Sequence, residues 1–288
     1  MKCDDGIGVI GLGLMGTAIS ERLLNFGYRV RVWNRTREKA APLLARGAEW
    51  SDSPVDDCRR IIISLFDSQA VSEVIGAMKS HLREGQYLID TTTGSLQLGI
   101  LLERQMTEMG VCYLDAPLSG SSEQTRNGES IVIVSGDKSA FNDCEDLWPV
   151  LGKQTFHVGS FGSATKMKLV TNLILGLNRI SLAEGLAFTE AIGVPPAAAL
   201  QILKGSVAYS RVMDSKGMKM ITGDFSVQAR LAQHLKDVRL ILQEGESAGI
   251  SLPMSREHCR LLEQAVTEGF GDLDNSAIIQ LFRRTAQK

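Results

Sequence analysis

The sequence predicts an α/β domain built on a doubly wound, mostly parallel sheet, followed by an all-helical second domain. Three observations carry that prediction. A short apolar run, Ile7–Ile10, breaks into Gly11-Leu12-Gly13-Leu14-Met15-Gly16 and then into the helix-compatible Thr17-Ala18-Ile19. From there to Gly162, short apolar segments alternate with amphipathic ones, the rhythm of repeated strand–helix–strand units. From Ser163 to Gly193 the chain then contains neither a proline nor a strand-like alternation.

Each glycine of the first motif has a physical reason. Gly11 permits the tight turn out of the strand, Gly13 lets the backbone approach a pyrophosphate, and Gly16 lets the new helix pack close to the sheet. The helix N-terminus offers phosphates its unpaired N–H groups and the positive end of its dipole. Three glycines alone would equally serve a simple turn; the strand before them and the helix after them favour a dinucleotide loop of Rossmann type.

The second strand, residues 28–33, alternates and ends at Asn34-Arg35-Thr36. An NAD-selective fold places an Asp or Glu there for the ribose 2′-hydroxyl, and that carboxylate would repel a 2′-phosphate. Here Asn34 is uncharged, Arg35 offers a planar fork of donors, and Thr36 adds a hydroxyl at a helix start. The expectation is NADP(H) in preference to NAD(H); the plainer alternative is a solvated arginine on a surface turn.

Further strands are expected at residues 61–65, 87–90, 112–115 and 131–135, with helices near 69–79, 97–109 and 138–150. In such a sheet the ligand crevice lies at the C-terminal strand ends, so functional loops should follow strands. Leu65-Phe66-Asp67 follows one, Thr91-Thr92-Thr93 another, and Ala116-Pro117-Leu118-Ser119-Gly120-Ser121 a third. After Gly159-Ser160-Phe161-Gly162 the texture becomes helical, with breaks expected at Pro195-Pro196, at Gly217 and near Gly223. The domains are therefore drawn at 1–162 and 163–288.

Composition excludes several function classes. The 288 residues hold 31 Lys and Arg against 33 Asp and Glu, a net charge of −2, which is no nucleic-acid footprint. The 5 cysteines, Cys3, Cys58, Cys112, Cys144 and Cys259, are odd in number and lack a C-x-x-C pair. They read as reduced thiols of a cytoplasmic chain rather than a disulfide frame or zinc site. The 4 histidines, His81, His157, His234 and His258, show no i, i+4 pair, so no metal is expected. No apolar run reaches the roughly 18 residues of a membrane span, and the first one follows Asp4 and Asp5, so it reads as a strand and not a signal.

The long helical segment carries a telling polar pair. Among mostly apolar neighbours, Lys168 and Asn172 stand four apart and so project from one face. A lysine on a buried helix is costly unless paired or used. Lys166 points nearly the opposite way and suits a solvated charge. Pattern alone leaves Lys168 open between a snorkelling and a catalytic role.

Taken in order, Gly11 to Gly16, Trp33-Asn34-Arg35-Thr36, Asp115 to Ser121, Gly162 to Asn172 with its Lys166-Met167-Lys168 core, and Lys236-Asp237 resemble the β-hydroxyacid dehydrogenase family across nearly the whole chain. Within it the glyoxylate and succinic semialdehyde reductases are the most similar. The resemblance implies an oxidoreductase that reduces a small carboxylate-bearing aldehyde to the hydroxy acid, or the reverse. Lys168 matches the catalytic lysine and proton donor, and Asn172 the asparagine that positions substrate beside it. Ser119, Gly120 and Ser121 match the loop that holds the substrate carboxylate, though such a segment also serves as a simple turn. Leu65, Phe66 and Thr93 stand where loops meet the cofactor, and Lys236 matches a second-domain lysine that closes over the nicotinamide side. The family's dimers and tetramers imply a homo-oligomer.

Two departures stand out. Ala164 replaces a glycine, a small change at a helix start. Ala229 stands where the family places a phenylalanine against substrate, so a roomier pocket is expected and glyoxylate should be poorer than a longer semialdehyde. Two other classes share parts of the pattern: imine reductases, which share the Trp33-to-Thr36 turn, and non-catalytic NADP-binding modules that have lost the lysine.

Overall fold

The computed structural model describes residues 6–285; Cys3, Asp4 and Asp5 lie outside the described residues. The chain falls into two compact units, Met1–Lys168 and Leu169–Lys288.

The first unit is built on a six-stranded parallel sheet of β1 (Ile7–Ile10), β2 (Val30–Trp33), β3 (Glu49–Trp50), β4 (Arg60–Ile63), β5 (Tyr87–Asp90) and β6 (Cys112–Asp115). Their order across the sheet is β3-β2-β1-β4-β5-β6. The direction of succession reverses at β1, which pairs with both β2 and β4, and that reversal opens a crevice at the carboxyl strand ends. Register makes the crevice level. Ile10 pairs with Trp33 and Ile63, Ile63 with Asp90, and Asp90 with Asp115, so five strands end in one row.

Side-chain alternation divides the apolar residues between two faces. Ile62 and Ile89 pack in one core with Ile19 and Leu23 of α1 (Leu14–Asn25). Ile61, Ile63 and Leu88 pack in another with Val71 and Ile75 of α2 (Ser68–Met78) and Leu102 and Met106 of α3 (Leu96–Glu108). These strands are buried on both sides, which is why they read as continuous apolar runs.

A smaller sheet follows, β7 (Leu118–Ser119) antiparallel to β8 (Ile131–Val134), with β9 (Gln154–His157) parallel to β8. Between β7 and β8 lies α4 (Ser122–Asn127). The helix expected over residues 138–150 is two helices, α5 (Lys138–Asp143) and a turn at Trp148–Leu151. Pro149 is the second residue of the latter, a first-turn position that needs no N–H donor, whereas inside one continuous helix it would remove a backbone hydrogen bond.

The helix α6 (Ser163–Ala191) runs 29 residues from the first unit into the second. The second unit continues as α7 (Pro196–Lys204), α8 (Val212–Thr222), α9 (Leu231–Ser247), α10 (Pro253–Thr267) and α11 (Ile279–Thr285). Leu182, Leu186, Leu200, Met213, Leu231, Leu235, Leu262 and Ile278 fill its core. Gly217 does not break a helix as expected. It lies inside α8, where a Cβ would come 2.7 Å from both methyls of Leu200, so glycine is there for close packing against α7. Gly223, at φ 71°, does terminate α8 in the left-handed conformation. Among the described residues no helix is long and apolar enough to cross a membrane.

Candidate active site

The glycine loop has the geometry a pyrophosphate requires. Gly11 has φ 98°, and a Cβ on it would lie 2.2 Å from the Ser64 carbonyl oxygen. A Cβ on Gly16 would fall 1.8 Å from the Gly11 carbonyl oxygen. Gly13 differs: its missing side chain opens onto space with nothing within 4 Å. It is also the N-cap of α1, where no side chain caps the helix and no acidic residue occupies the first turn. Open space before uncapped N–H groups fits a bound phosphate. Leu12 is buried, Leu14 is exposed, and Met15 packs against the core.

Asn34 ties this loop to the end of β2. Its Oδ1 accepts from the Leu12 N–H at 2.9 Å and its Nδ2 donates to the Thr36 carbonyl at 2.9 Å. With both ends so engaged, Arg35 and Thr36, each exposed, are the groups at this strand end that reach outward. No carboxylate stands in that turn. Arg37, which sequence reasoning passed over, stacks over the Trp50 ring at 5.0 Å.

The next strand ends bring further expected residues into the same row. The Leu65 N–H donates to Thr92 Oγ1 at 3.1 Å, Phe66 is 56% exposed, and Thr93 is half-buried. Asp90 holds this turn, accepting from the Thr92 N–H at 2.8 Å and from the Tyr113 hydroxyl at 2.7 Å.

After β6 the chain enters the serine loop. Ser119 lies on β7 and is half-buried. A Cβ on Gly120 would sit 2.3 Å from Ser130 Oγ, so this exposed turn rests directly on the residue that precedes β8. Ser121 caps α4 in a reciprocal box: its Oγ accepts from the Gln124 N–H at 3.1 Å, and its own N–H donates to Gln124 Oε1 at 2.9 Å. What Ser121 keeps for a ligand is therefore its hydroxyl proton. The Ser-x-x-Gln spacing signals this helix start in the sequence.

Lys168 is buried at 8% exposure, whereas Lys166 and Met167 beside it are exposed. The start of its helix is fastened by Asp115. That carboxylate accepts from the Thr165 N–H at 2.8 Å, Thr165 Oγ1 at 2.9 Å and Ser135 Oγ at 3.1 Å. Burial pushes its pKa up to about 6, and Asp90 adds to this, against the Thr165 and Ser135 donors that pull it down.

In the second unit, Asn172 Nδ2 donates to Asp237 Oδ2 at 3.0 Å, and Asp237 Oδ1 lies 3.2 Å from Lys236 Nζ. The two expected residues, Asn172 and Lys236, are thus joined through Asp237. Ala229 is held by its backbone: its N–H donates to Asp274 Oδ2 at 3.1 Å and its carbonyl accepts from the Asn275 N–H at 2.9 Å. Asp274 also pairs with Lys216 at 2.8 Å. Neither of those residues stood out in the sequence.

Residues 6–159 match the family described as the NAD binding domain of 6-phosphogluconate dehydrogenase. Residues 162–282 match that described as NAD-binding of NADP-dependent 3-hydroxyisobutyrate dehydrogenase. The chain is 32% identical to glyoxylate/succinic semialdehyde reductase 1 of Arabidopsis thaliana over 280 residues, 95% of this chain and 97% of that one. Among solved structures, Psf3 in complex with NADP+ and 2-OPP superposes with a TM-score of 0.90 at 25% identity, covering 96% of this chain and 99% of that one. The 3-hydroxyisobutyrate dehydrogenase of Salmonella typhimurium gives 0.88 at 21% identity, with 96% and 99% covered, and shows the same fold.

Proposed function

Because the chain belongs to the β-hydroxyacid dehydrogenase family, NAD(P)-dependent oxidoreductases acting on CH–OH groups, we propose that it reduces a small carboxylate-bearing aldehyde with NADPH. The observation that carries this reading is Lys168, a buried lysine on a helix whose first turn is bound to the strand end that leads into the serine loop. Preference for NADP(H) is supported by the turn after β2, where Arg35 is exposed and the usual carboxylate is replaced by Asn34.

When bound, the reduced nicotinamide supplies the hydride that reaches the carbonyl carbon. Lys168, as an ammonium, hydrogen-bonds the carbonyl oxygen and gives it a proton as negative charge develops. The hydroxyls of Ser119 and Ser121 and the Gly120 N–H hold the substrate carboxylate, so the aldehyde is presented in one orientation. Asn172 orients substrate near Lys168, one helical turn away, and Lys236 acts on the cofactor side. In the reverse direction a neutral Lys168 accepts the hydroxyl proton.

We divide the protein into an NADP-binding domain, 1–162, and a substrate and dimerisation domain, 163–288. Met167, Val170, Ile174 and Phe188 lie along one face of α6, each more than 40% exposed, and support a second copy of the chain as the partner. The free thiols of Cys58, Cys112, Cys144 and Cys259 suit a reducing compartment such as the cytoplasm.

A panel of aldehydes and cyclic imines, run with both cofactors, tests the proposal. The expected result is turnover of a semialdehyde with NADPH, with glyoxylate poorer because Ala229 leaves room in the pocket. Preference for imines, or binding of NADPH without turnover of any substrate, overturns it.

A further inference from the structure

Asp115 occupies an unusual junction in the first unit. It is the last residue of β6, and the serine loop begins directly after it. Its backbone is fixed against β8's end by two hydrogen bonds with Ser135, from Asp115 N–H at 3.0 Å and from Ser135 N–H at 2.8 Å. The following residues are pinned as well. The Ala116 N–H donates to the Asp90 carbonyl at 2.7 Å, and the Pro117 carbonyl accepts from the Ile133 N–H at 3.1 Å. The path from Asp115 to Ser119 is thus rigid, and the carboxylate's direction is set by it.

That carboxylate turns to the first turn of α6. A helix leaves its first N–H groups without intrahelical partners. Here the Thr165 N–H is taken by Asp115 Oδ2 and the Ala164 N–H by Ser135 Oγ at 3.0 Å, while Ser135 Oγ itself donates to Asp115. Thr165 Oγ1 adds a bond to Oδ1 at 2.9 Å. Asp115 is 4% exposed, Ser135 is fully buried and Thr165 is 8% exposed, so water cannot replace these partners. Thr165 stands three residues before Lys168, on the same helical face. A negative group at the start of a long helix is also favoured by the dipole.

We infer that Asp115 is a positioning residue: it locks the start of α6, and with it Lys168, to the serine loop, so that proton donor and carboxylate site hold one spacing. The inference rests on the reading of Lys168 as proton donor and adds a residue that acts only through it. An error of about 1 Å in such a spacing costs on the order of a hundredfold in rate.

The chemistry of the joint predicts which substitutions it tolerates. Asp115→Ala removes every acceptor and strands three buried donors. Asp115→Asn keeps an oxygen for the Thr165 N–H, and the Thr165 hydroxyl turns round to accept from the new amide. The test measures turnover of the preferred aldehyde and NADPH affinity for Asp115→Ala, Asp115→Asn and Lys168→Ala, and for Asp115→Ala in the Lys168→Ala background. Expected are a fall of about 10- to 100-fold in kcat for Asp115→Ala and rescue by Asp115→Asn to within about fivefold. NADPH affinity stays within about twofold, and the double variant shows no further loss beyond Lys168→Ala. Should Asp115→Ala fail to fold, Thr165→Val, which removes one donor, replaces it, with Thr165→Ser as its rescue. Equal losses from the substitution in both backgrounds, or a loss in Asp115→Asn matching that in Asp115→Ala, overturn the inference. Near-normal turnover of Lys168→Ala alone overturns the Lys168 reading itself, and the positioning role falls with it.

Discussion

Replacing Lys216 by methionine should destabilise the second unit more than any ordinary lysine substitution. Asp274 is fully buried, and Lys216 Nζ lies 2.8 and 2.9 Å from its two oxygens. The same carboxylate accepts from the N–H groups of Gln228 at 3.0 Å, Ala229 at 3.1 Å and Ser276 at 3.1 Å. Burial pushes the Asp274 pKa up, but Lys216 and these donors pull it down to about 2, so it stays ionised without its partner's help only at a high desolvation cost. Burial draws the Lys216 pKa below its usual value, and the Asp274 carboxylate opposes that fall. Lys216→Met leaves the buried Asp274 carboxylate without the cation hydrogen-bonded to it, although the buried Arg179 still attracts it, a cost of about 3–5 kcal/mol, or roughly 6–20 °C in Tm. The assay is urea unfolding followed by far-UV circular dichroism, because Trp33, Trp50 and Trp148 all lie in the first unit and their fluorescence reports on it. Acid adds a second readout. A carboxyl depressed from 3.8 to about 2 contributes stability that is present above pH 4 and lost as pH falls toward 2, about 2 kcal/mol in all. A loss below about 1 kcal/mol in Lys216→Met, the range of surface ion pairs, would refute this reasoning.

Other outcomes follow from the cofactor half. Arg35→Ala should weaken NADPH about tenfold or more and leave NADH nearly unchanged, as measured by fluorescence titration; an unchanged preference removes the argument from the β2 turn. Gly13→Ala should keep its Tm within about 2 °C yet lose most cofactor affinity, since the new methyl enters open space where a phosphate would sit, whereas Gly16→Ala should fail to fold around its loop. Equal loss of stability in both variants contradicts the distinction. Ile174→Asp should shift the chain toward monomer in light scattering; an unchanged mass argues against the exposed face of α6 as the contact between copies.

Much of the fold is legible in the sequence because its strands are buried on both faces. Ile61, Ile62 and Ile63 form an apolar run that has few other uses, and Gly11 and Gly16 sit where backbone contact forbids any side chain. The short strands β3 and β7 span two residues each, too few for a period to register. In β9 the outward residues Gln154 and Phe156 are exposed, so its pattern is not that of a core strand. Gly217 misled for a different reason: the sequence shows that glycine weakens a helix but not that Leu200 requires its absence of side chain.

For the site, motif spacing pointed to residues that face a ligand, whereas the groups that hold them were silent. Asp115 and Asp237 stand within motifs but carry no role there by sequence, and Asp274 stands in none. Only folding shows that each is buried and what it grips: Thr165, Asn172, and the backbone before α9. Residue type reveals capacity for chemistry, and a carboxylate's partners arrive from positions 50, 65 and 45 residues away.

The most direct test of the account is single-turnover reduction of a semialdehyde by Lys168→Ala saturated with NADPH, followed by the loss of nicotinamide fluorescence. A rate lower by a hundredfold or so, with NADPH affinity unchanged, is the predicted result. A rate within a few-fold of the unsubstituted protein would contradict the assignment of the proton donor.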